Sequence, residues 1–299
     1  MTTSISAGTA PDSGDEPKAF RPYSDVEYHF TSDTSSMPNI RQYLKDTWDR
    51  RHFVVATAKA DLRGPRSRTG LGELWAVADP LFQAGIYWFV ISTIRGGGGN
   101  QTARLTILIS GIFMWALTST ILGAGGRSII RNKSLVLNTQ FPRILLPITE
   151  VYKGLLDLGP SLIVYAIIHV LLGAPIGPGV ALLPLLIVIQ VVMSTGTALI
   201  FATLVVFISD MSNTLDYMMR VMFFTTPILF PVSSLGSGLL ATVLRVNPFF
   251  SLFACFQAVV LGGIPSPSDL AQAIFWACLL MFVGFRLFVS RERGFALRL

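Results

Sequence analysis

Long runs without a charged residue decide the fold class of this chain. Residues 105–126 contain no Asp, Glu, Lys or Arg, and neither do residues 179–209. About 20 apolar residues in a helix cross the hydrocarbon core of a bilayer, and a soluble core of this size needs no series of such helices. Charged residues are 13% of the chain, against about 25% in ordinary soluble domains. The sequence therefore predicts an all-α, polytopic membrane protein.

The positions of Lys and Arg set the number of crossings. Residues 246–268 also contain no charge, but Pro and Gly interrupt this stretch, and a seventh crossing would place the basic C-terminus outside. Six crossings put the basic segments on the cytoplasmic side, as the positive-inside rule requires. We therefore expect a re-entrant helical pair at 239–263, on the outer side between spans 5 and 6. The spans are predicted at 74–94, 105–126, 154–173, within 179–209, from about Tyr217 across Pro227 and Pro231, and up to residue 290.

Three segments flank the predicted transmembrane domain of residues 74–290. Residues 1–39, rich in Ser, Thr, Pro and acidic residues, predict a disordered cytoplasmic tail. Residues 40–73 predict an amphipathic helix in the membrane interface and a connector, with a surface helix of a small soluble domain as the alternative. Residues 291–299 predict a cytoplasmic C-terminal tail. The apolar face of the interfacial helix carries Tyr43, Leu44, Trp48, Val55 and Leu62.

No part of the sequence supplies an energy source or a catalytic site. The chain has no Gly-x-x-x-x-Gly-Lys-Ser/Thr phosphate loop, and the glycines at 96–99 lie in a predicted outer loop. Its histidines and acidic residues form neither a metal-ligand pattern nor a pair suited to acid–base catalysis. The basic residues are spread over loops, which argues against nucleic-acid binding. We therefore expect a transporter subunit that binds no cofactor and takes its energy from another chain.

The loop at residues 127–143 is the best candidate for contact with that chain. It combines cations with apolar residues, which suits a short helix that docks in a groove of a partner, although a basic loop that only sets orientation is the alternative. Just after it, Glu150, Lys153 and Asp157 share one helical face and could form an ion-paired ladder at the inner mouth.

Several motifs, in this order, resemble the permeases of type-2 ABC polysaccharide exporters. They are RTGLGELWAVADPL at 68–81, NKSLV at 132–136, FPRILLP at 141–147, TPILF at 226–230 and NPF at 247–249. The resemblance covers residue 40 to the end. It implies a homodimer of six-span subunits that binds two copies of a separate cytoplasmic ATPase, on which ATP and Mg²⁺ are bound.

The resemblance also implies roles for individual residues. ATPase motion would reach the interfacial helix and the loop between spans 2 and 3. In this sequence, the coupling residues of that loop are Arg131, Asn132, Lys133, Ser134, Leu135, Val136, Phe141, Pro142 and Arg143. Family substrates include O-antigen, teichoic acid precursors and lipid-linked cell-wall galactan. The long acidic N-terminal segment is most similar to the actinobacterial galactan exporter permeases.

A substrate path is a further implication of this resemblance. A polyprenyl-diphosphate-linked glycan would leave the membrane lipids of the inner leaflet near Arg63, Arg66 and Arg68. Aromatic side chains could stack on its sugars, although most membrane aromatics pack between helices or anchor at the interface. An ABC-2 exporter of drugs or small lipids, and a stand-alone channel or secondary carrier, are the alternatives. The predicted channel aromatics are Phe82, Tyr87, Trp88, Phe113, Trp115, Phe223, Phe249 and Phe253.

Overall fold

The computed structural model of the chain describes residues 40–66, 74–95, 100–208, 210–236 and 238–299. The predicted tail at 1–39 lies outside these residues. Within them every regular element is helical, as the uncharged runs predict. The α-helices are α1 (Ile40–Asp49), α2 (Arg51–Arg66), α3 (Trp75–Arg95), α4 (Gln101–Arg131), α5 (Lys133–Asn138), α6 (Leu145–Leu171), α7 (Leu183–Phe207), α8 (Met211–Thr225), α9 (Leu239–Arg245), α10 (Pro248–Val260), α11 (Pro267–Arg291) and α12 (Phe295–Arg298).

Five of the described helical segments are long and apolar enough to cross a membrane. They lie at Trp75–Ile94, Gln101–Arg131, Leu145–Leu171, Pro178–Phe207 and Pro267–Arg298. They agree with five of the predicted spans, and the chain is a multi-pass membrane protein. The predicted span from Tyr217 corresponds to α8, which has 15 residues and is too short to cross alone. The count of six crossings therefore stays a prediction.

The segment that begins with α8 nevertheless runs along most of α4. At the predicted cytoplasmic end, Arg127 Nη2 donates to the Ser212 carbonyl at 2.8 Å. Farther along, the rings of Trp115 and Phe223 lie 5.6 Å apart, and Ile228 packs against Gly111. The α4 residues in these contacts span about 24 Å at 1.5 Å per residue. α8 and the non-helical stretch after it therefore run alongside α4, as a transmembrane segment would.

Gln257 of α10 and Asn247, just before α10, form hydrogen bonds with this non-helical stretch. Gln257 Nε2 donates to the carbonyls of Pro227 at 2.6 Å and Phe230 at 2.9 Å, and its Oε1 accepts from Val232 N at 3.0 Å. Asn247 Nδ2 bonds the Thr226 hydroxyl at 2.9 Å. Irregular backbone at membrane depth is tolerated when protein groups satisfy it, and here two side chains do so.

The helical pair predicted at 239–263 is confirmed as α9 and α10. Asn247 begins α10 because its Oδ1 accepts from Phe249 N at 3.0 Å, which caps the helix. Pro248 then occupies the first turn, where its missing N–H has no intrahelical partner to lose. α10 is enclosed by α4, α7 and α11, and nearly all of its side chains are buried.

Two glycines bring α7 and α11 into backbone contact. A Cβ atom at Gly196 would overlap the backbone of Leu280 and Met281, and one at Gly284 would overlap the Gly196 carbonyl. Small residues let membrane helices approach this closely, and close approach replaces the hydrophobic driving force that lipid does not supply. The α7–α11 pair is thereby fixed as a rigid part of the bundle.

The N-terminal amphipathic region differs from the single helix predicted over residues 40–62. It forms two helices, α1 and α2, separated at Arg50. Because of the break, each of the two helices has its own buried face. Tyr43 is buried on α1, and Val54 and Ala58 are buried on α2, whereas Leu44 and Trp48 are exposed. The Leu62 side chain lies outside the described residues.

Residues 291–299 are packed against the bundle and do not extend from it as a loose tail. Phe295 is fully buried, and its ring contacts those of Phe207 at 6.0 Å and Phe288 at 5.1 Å. These aromatic contacts close the predicted cytoplasmic end of α7 and α11 and bring Glu292 into the protein interior.

Candidate functional site

The short helix α5 presents a different face from the one predicted. Val136 is 2% exposed and packs in a cluster with Ile129, Ile144 and Leu199. Leu135 is half-buried, whereas Leu137 is 47% exposed. Because the core needs an apolar side chain on the inner face of α5, Val136 is not available to a partner. The exposed face of α5 consists of Lys133, Ser134, Leu137 and Asn138, and the coupling role of the segment stays a prediction.

The segment after α5 contacts α2 and the junction between α1 and α2. Arg50 Nη1 donates to the Gln140 carbonyl at 2.9 Å, and the rings of Phe53 and Phe141 lie 5.7 Å apart. Asn132, Phe141, Pro142 and Arg143 are half-buried and Arg131 is exposed. The two regions that the sequence predicts to receive ATPase motion are thus in direct contact.

Glu292 joins these regions to the C-terminal end of the chain. The Tyr43 hydroxyl donates to Glu292 Oε2 at 2.5 Å. The Arg143 main-chain N–H donates to Glu292 Oε1, and the Arg143 guanidinium donates to the Glu292 carbonyl. We call Tyr43, Arg143 and Glu292 the cytoplasmic clamp. Burial, followed by the negative charge of Glu292, raises the pKa of the Tyr43 phenol well above its ordinary value, so this hydroxyl remains a donor.

Sequence reasoning did not find the clamp. Its only signal was that Glu292 is the single acidic residue among the cations of residues 286–298. A buried carboxylate needs hydrogen bonds or a charged partner, and Tyr43 and Arg143 supply hydrogen bonds to Glu292.

The predicted charge ladder is present and is larger than expected. Lys153 Nζ lies 3.0 Å from Glu150 Oε1 and also pairs with Asp61 of α2, and Arg131 pairs with Glu150. Glu150 and Lys153 are buried, so each charge depends on its partners. The network ties α2 and the end of α4 to α6. Asp157 lies one turn farther along α6 and lines a cleft instead.

That cleft lies between α3, α4 and α6 and has a volume of about 460 Å³. We call it the α3–α6 cleft. It combines carboxylates and hydroxyls with aromatic rings, so it can hydrogen-bond sugar hydroxyls and stack on sugar faces. Its lining includes Trp75, Asp79, Gln83, Phe113, Trp115, Ser119, Thr120, Asp157 and Ser161.

The predicted channel aromatics fall into two groups. Phe249 and Phe253 are fully buried and pack with their rings 6.4 Å and 6.2 Å from that of Trp115. For these two residues a path-lining role is wrong, because they fill the interface between α10 and α4. Of the others, Phe82 is exposed, and Tyr87 and Trp88 are half-buried beside cavities. Phe113, Trp115 and Phe223 are themselves buried, although they form part of cavity walls.

The cationic residues predicted near the headgroups lie at or beyond the end of a described range, residues 40–66. Arg63 and Arg66 fall within α2, but their side chains lie outside the described residues, as does all of Arg68. Within the described chain, no three His, Cys, Asp or Glu side chains cluster in a way that could hold a metal ion.

Comparison with known proteins identifies the family. The family model described as ABC-2 type transporter matches residues 54–261, more than two thirds of the chain. An O-antigen export system permease protein RfbA of Klebsiella pneumoniae is 28% identical over 248 residues, which are 82% of this chain and 93% of that protein. Another of the same name and organism is 26% identical over 246 residues, with 82% and 93% covered. The protein of that name from Myxococcus xanthus is 22% identical over 255 residues, with 85% and 97% covered.

The matched residues include α2, the coupling segment around α5, the α3–α6 cleft and the pair α9–α10. The resemblance to type-2 ABC permeases that the short motifs indicate is confirmed. Such permeases are the membrane components of transporters and not enzymes, and the family implies an ATPase partner. The chain belongs to the ABC-2 type transporter family.

Proposed function

We propose that this chain is the permease subunit of an ATP-driven exporter that moves a polyprenyl-diphosphate-linked polysaccharide across the plasma membrane. The observation that carries the proposal is the similarity, over nearly their whole length, to permeases named for O-antigen export. Cell-wall galactan is the substrate we favour, because the long acidic N-terminal segment resembles the galactan exporter permeases. In this proposal both termini lie in the cytoplasm.

The proposed assembly contains two copies of this chain and two copies of a cytoplasmic ATPase, which binds ATP and Mg²⁺. This chain itself binds no cofactor. An incomplete bundle supports the dimer: α3 is the least enclosed of the five long helices and exposes Phe82, Ile86 and Phe89. A second copy and membrane lipids would cover this face, since apolar side chains at membrane depth need one or the other.

Energy transfer would begin at the exposed face of α5. Leu137 and Lys133 provide an apolar and a cationic contact on a helix that is joined directly to α4. Displacement of the segment after α5 would pull on Glu292 through Arg143, and on α1 through Tyr43. The cytoplasmic clamp would therefore make the coupling segment and the interfacial helix move together, which a pair of independent loops could not do.

The α3–α6 cleft would hold sugars of the glycan. Asp79 and Asp157 accept hydrogen bonds from hydroxyl groups, and Trp75 and Trp115 offer ring faces for stacking. Arg63, Arg66 and Arg68 would meet the anionic headgroup where it leaves the inner leaflet. Neither contact requires recognition of one particular sugar, which suits a long polymer.

Depletion of the chain in its host tests this function. We expect polyprenyl-linked polymer to accumulate in the cytoplasm while its synthesis continues. A drug or small-lipid exporter would leave polymer export unchanged. The amount and length of the lipid-linked glycan in each cell fraction are measured after extraction. Normal export after depletion would refute the proposal.

A further inference from the structure

A second cavity lies next to the α3–α6 cleft and shares Gln83 and Trp115 with it. It lies between α3, α4 and α8 and has a volume of about 460 Å³, within the usual range for ligand pockets. We call it the α3–α8 groove. Its walls are mainly aromatic, and they carry two polar side chains, Gln83 and Arg220.

Arg220 lies below the predicted inner surface of the membrane. One turn before it in α8, Asp216 pairs with Arg127 at 2.7 Å. One turn after it, Phe223 contacts Trp115 near the middle of α4. Arg220 is thus about 6 Å deeper than the Arg127–Asp216 pair. Charged side chains at membrane depth are rare, and they usually face a cavity with a functional role.

The guanidinium of Arg220 is available to a ligand. It stacks on Tyr217 with its central carbon 5.9 Å from the ring centroid. In the part of the chain that the structure describes, it forms no ion pair, since the adjacent Asp216 is engaged by Arg127. Its N–H groups therefore face a cavity whose other described walls hold no carboxylate.

The two adjoining cavities have opposite charge although they share Gln83 and Trp115. The α3–α6 cleft contains Asp79 and Asp157, which disfavour an anion. The α3–α8 groove contains Arg220, and a guanidinium fork matches the oxygens of a phosphate group in a bidentate manner. The aromatic walls suit the first isoprene units of a lipid chain.

We propose that the α3–α8 groove binds the diphosphate of the lipid-linked substrate through Arg220. This inference rests on the proposed function for the nature of the lipid. It assigns the anionic linkage to the α3–α8 groove, one turn inside the membrane, while the attached sugars occupy the adjoining α3–α6 cleft. Arg220 would receive the diphosphate after the headgroup has left the membrane surface.

The test uses the full-length chain with its ATPase in nanodiscs of phosphatidylcholine. Titration with undecaprenyl diphosphate and with undecaprenyl monophosphate is followed by tryptophan fluorescence, to which Trp115 in the groove contributes. We expect tighter binding of the diphosphate. Arg220→Gln should weaken diphosphate binding about 10- to 100-fold, the size expected for the loss of a charge-assisted hydrogen bond. Arg220→Lys should have an intermediate effect, because it keeps the charge but not the fork.

Arg245→Gln is the matched control, because Arg245 is also exposed and stacks on an aromatic ring, that of Phe250 at 5.8 Å. Unchanged diphosphate affinity in Arg220→Gln overturns the inference, as does the absence of diphosphate binding by the wild-type protein. Equal loss of monophosphate and diphosphate binding, accompanied by lower thermal stability, also overturns it and leaves Arg220 as an interfacial anchor. Each of these results leaves the depletion experiment unaffected, so failure of the site and failure of the export function are distinguishable.

Discussion

Tyr43→Phe removes one hydroxyl group from the cytoplasmic clamp and should measurably destabilise it. The ring stays in place against Phe285, whose centroid is 6.4 Å away, and only the bond to Glu292 Oε2 is lost. Both residues are buried, so water does not replace the bond. A hydrogen bond to a charged group contributes about 1.5–3 kcal/mol. Arg143 still bonds Glu292 in the variant. The loss of unfolding free energy should therefore stay within this range and be smaller than the cost of leaving a buried charge with no partner.

A double-mutant cycle with Glu292→Gln isolates this bond. Stability is measured as thermal unfolding of the permease–ATPase complex in nanodiscs, and transport and ATP hydrolysis are assayed in the same preparation. We expect Tyr43→Phe to reduce transport more than ATP hydrolysis, since the ATPase still turns over while α1 follows the coupling segment less closely. Tyr152→Phe is the control: Tyr152 is half-buried, and the described structure gives its hydroxyl no hydrogen bond.

The raised pKa of the Tyr43 phenol adds a pH test. A group whose pKa is raised by folding contributes stability that is present below its ordinary pKa, here 10.0, and is lost as the pH rises above that value. The wild-type complex should therefore lose stability above about pH 10 relative to Tyr43→Phe. Equal effects of Tyr43→Phe and Tyr152→Phe, with no difference between wild type and variant at high pH, would refute the clamp.

Three other substitutions test the coupling surface, the α7–α11 contact and the non-helical stretch. Leu137→Asp should abolish co-purification of the ATPase without unfolding the permease, because this side chain is exposed on α5. Gly284→Ala should destabilise the bundle by about 2–3 kcal/mol, because its methyl group would overlap the backbone of α7. Gln257→Leu should cost about 2–5 kcal/mol in thermal unfolding, since it leaves one buried and two partly buried backbone groups without their partner.

Each of these substitutions has a matched control. Leu297→Asp changes a leucine that is also exposed at the predicted cytoplasmic end, and it should leave ATPase binding intact. Gly159→Ala adds a methyl group on α6 where no atom lies within 4 Å. Gln272→Leu changes a half-buried glutamine of α11 for which the described structure gives no hydrogen bond. If the control and the test variant behave alike in any pair, the contact in question does not have the role assigned to it.

Local hydropathy and helical spacing were enough to predict much of the fold. Five spans and the pair α9–α10 were evident because a helix in lipid must be apolar along its whole length. The ladder of Glu150 and Lys153 was evident because i and i+3 share a helical face. The sequence motifs also predict a coupling segment, and its role stays a prediction.

The features that sequence reasoning missed depend on contacts between distant residues. Tyr43 and Glu292 are 249 positions apart, and no periodicity connects them. The inward face of Val136 is set by the cluster beneath α5, which belongs to other helices. In the sequence, Phe249 and Phe253 cannot be told apart from aromatic residues that line a channel. Their ring contacts with Trp115 show that they fill a helix interface.

The bonds from Gln257 have a mechanical consequence. They attach the stretch after α8 to α10, which is itself enclosed, while α8 is attached at its other end to Arg127 of α4. The segment is therefore attached to Arg127 of α4 at its first end and to α10 from Thr226 and Pro227 onward, where α8 ends at a joint. A push from the cytoplasm would tilt α8 about this joint as a lever and leave the outer half stationary, so the α3–α8 groove could change width while the outer end of the bundle keeps its shape.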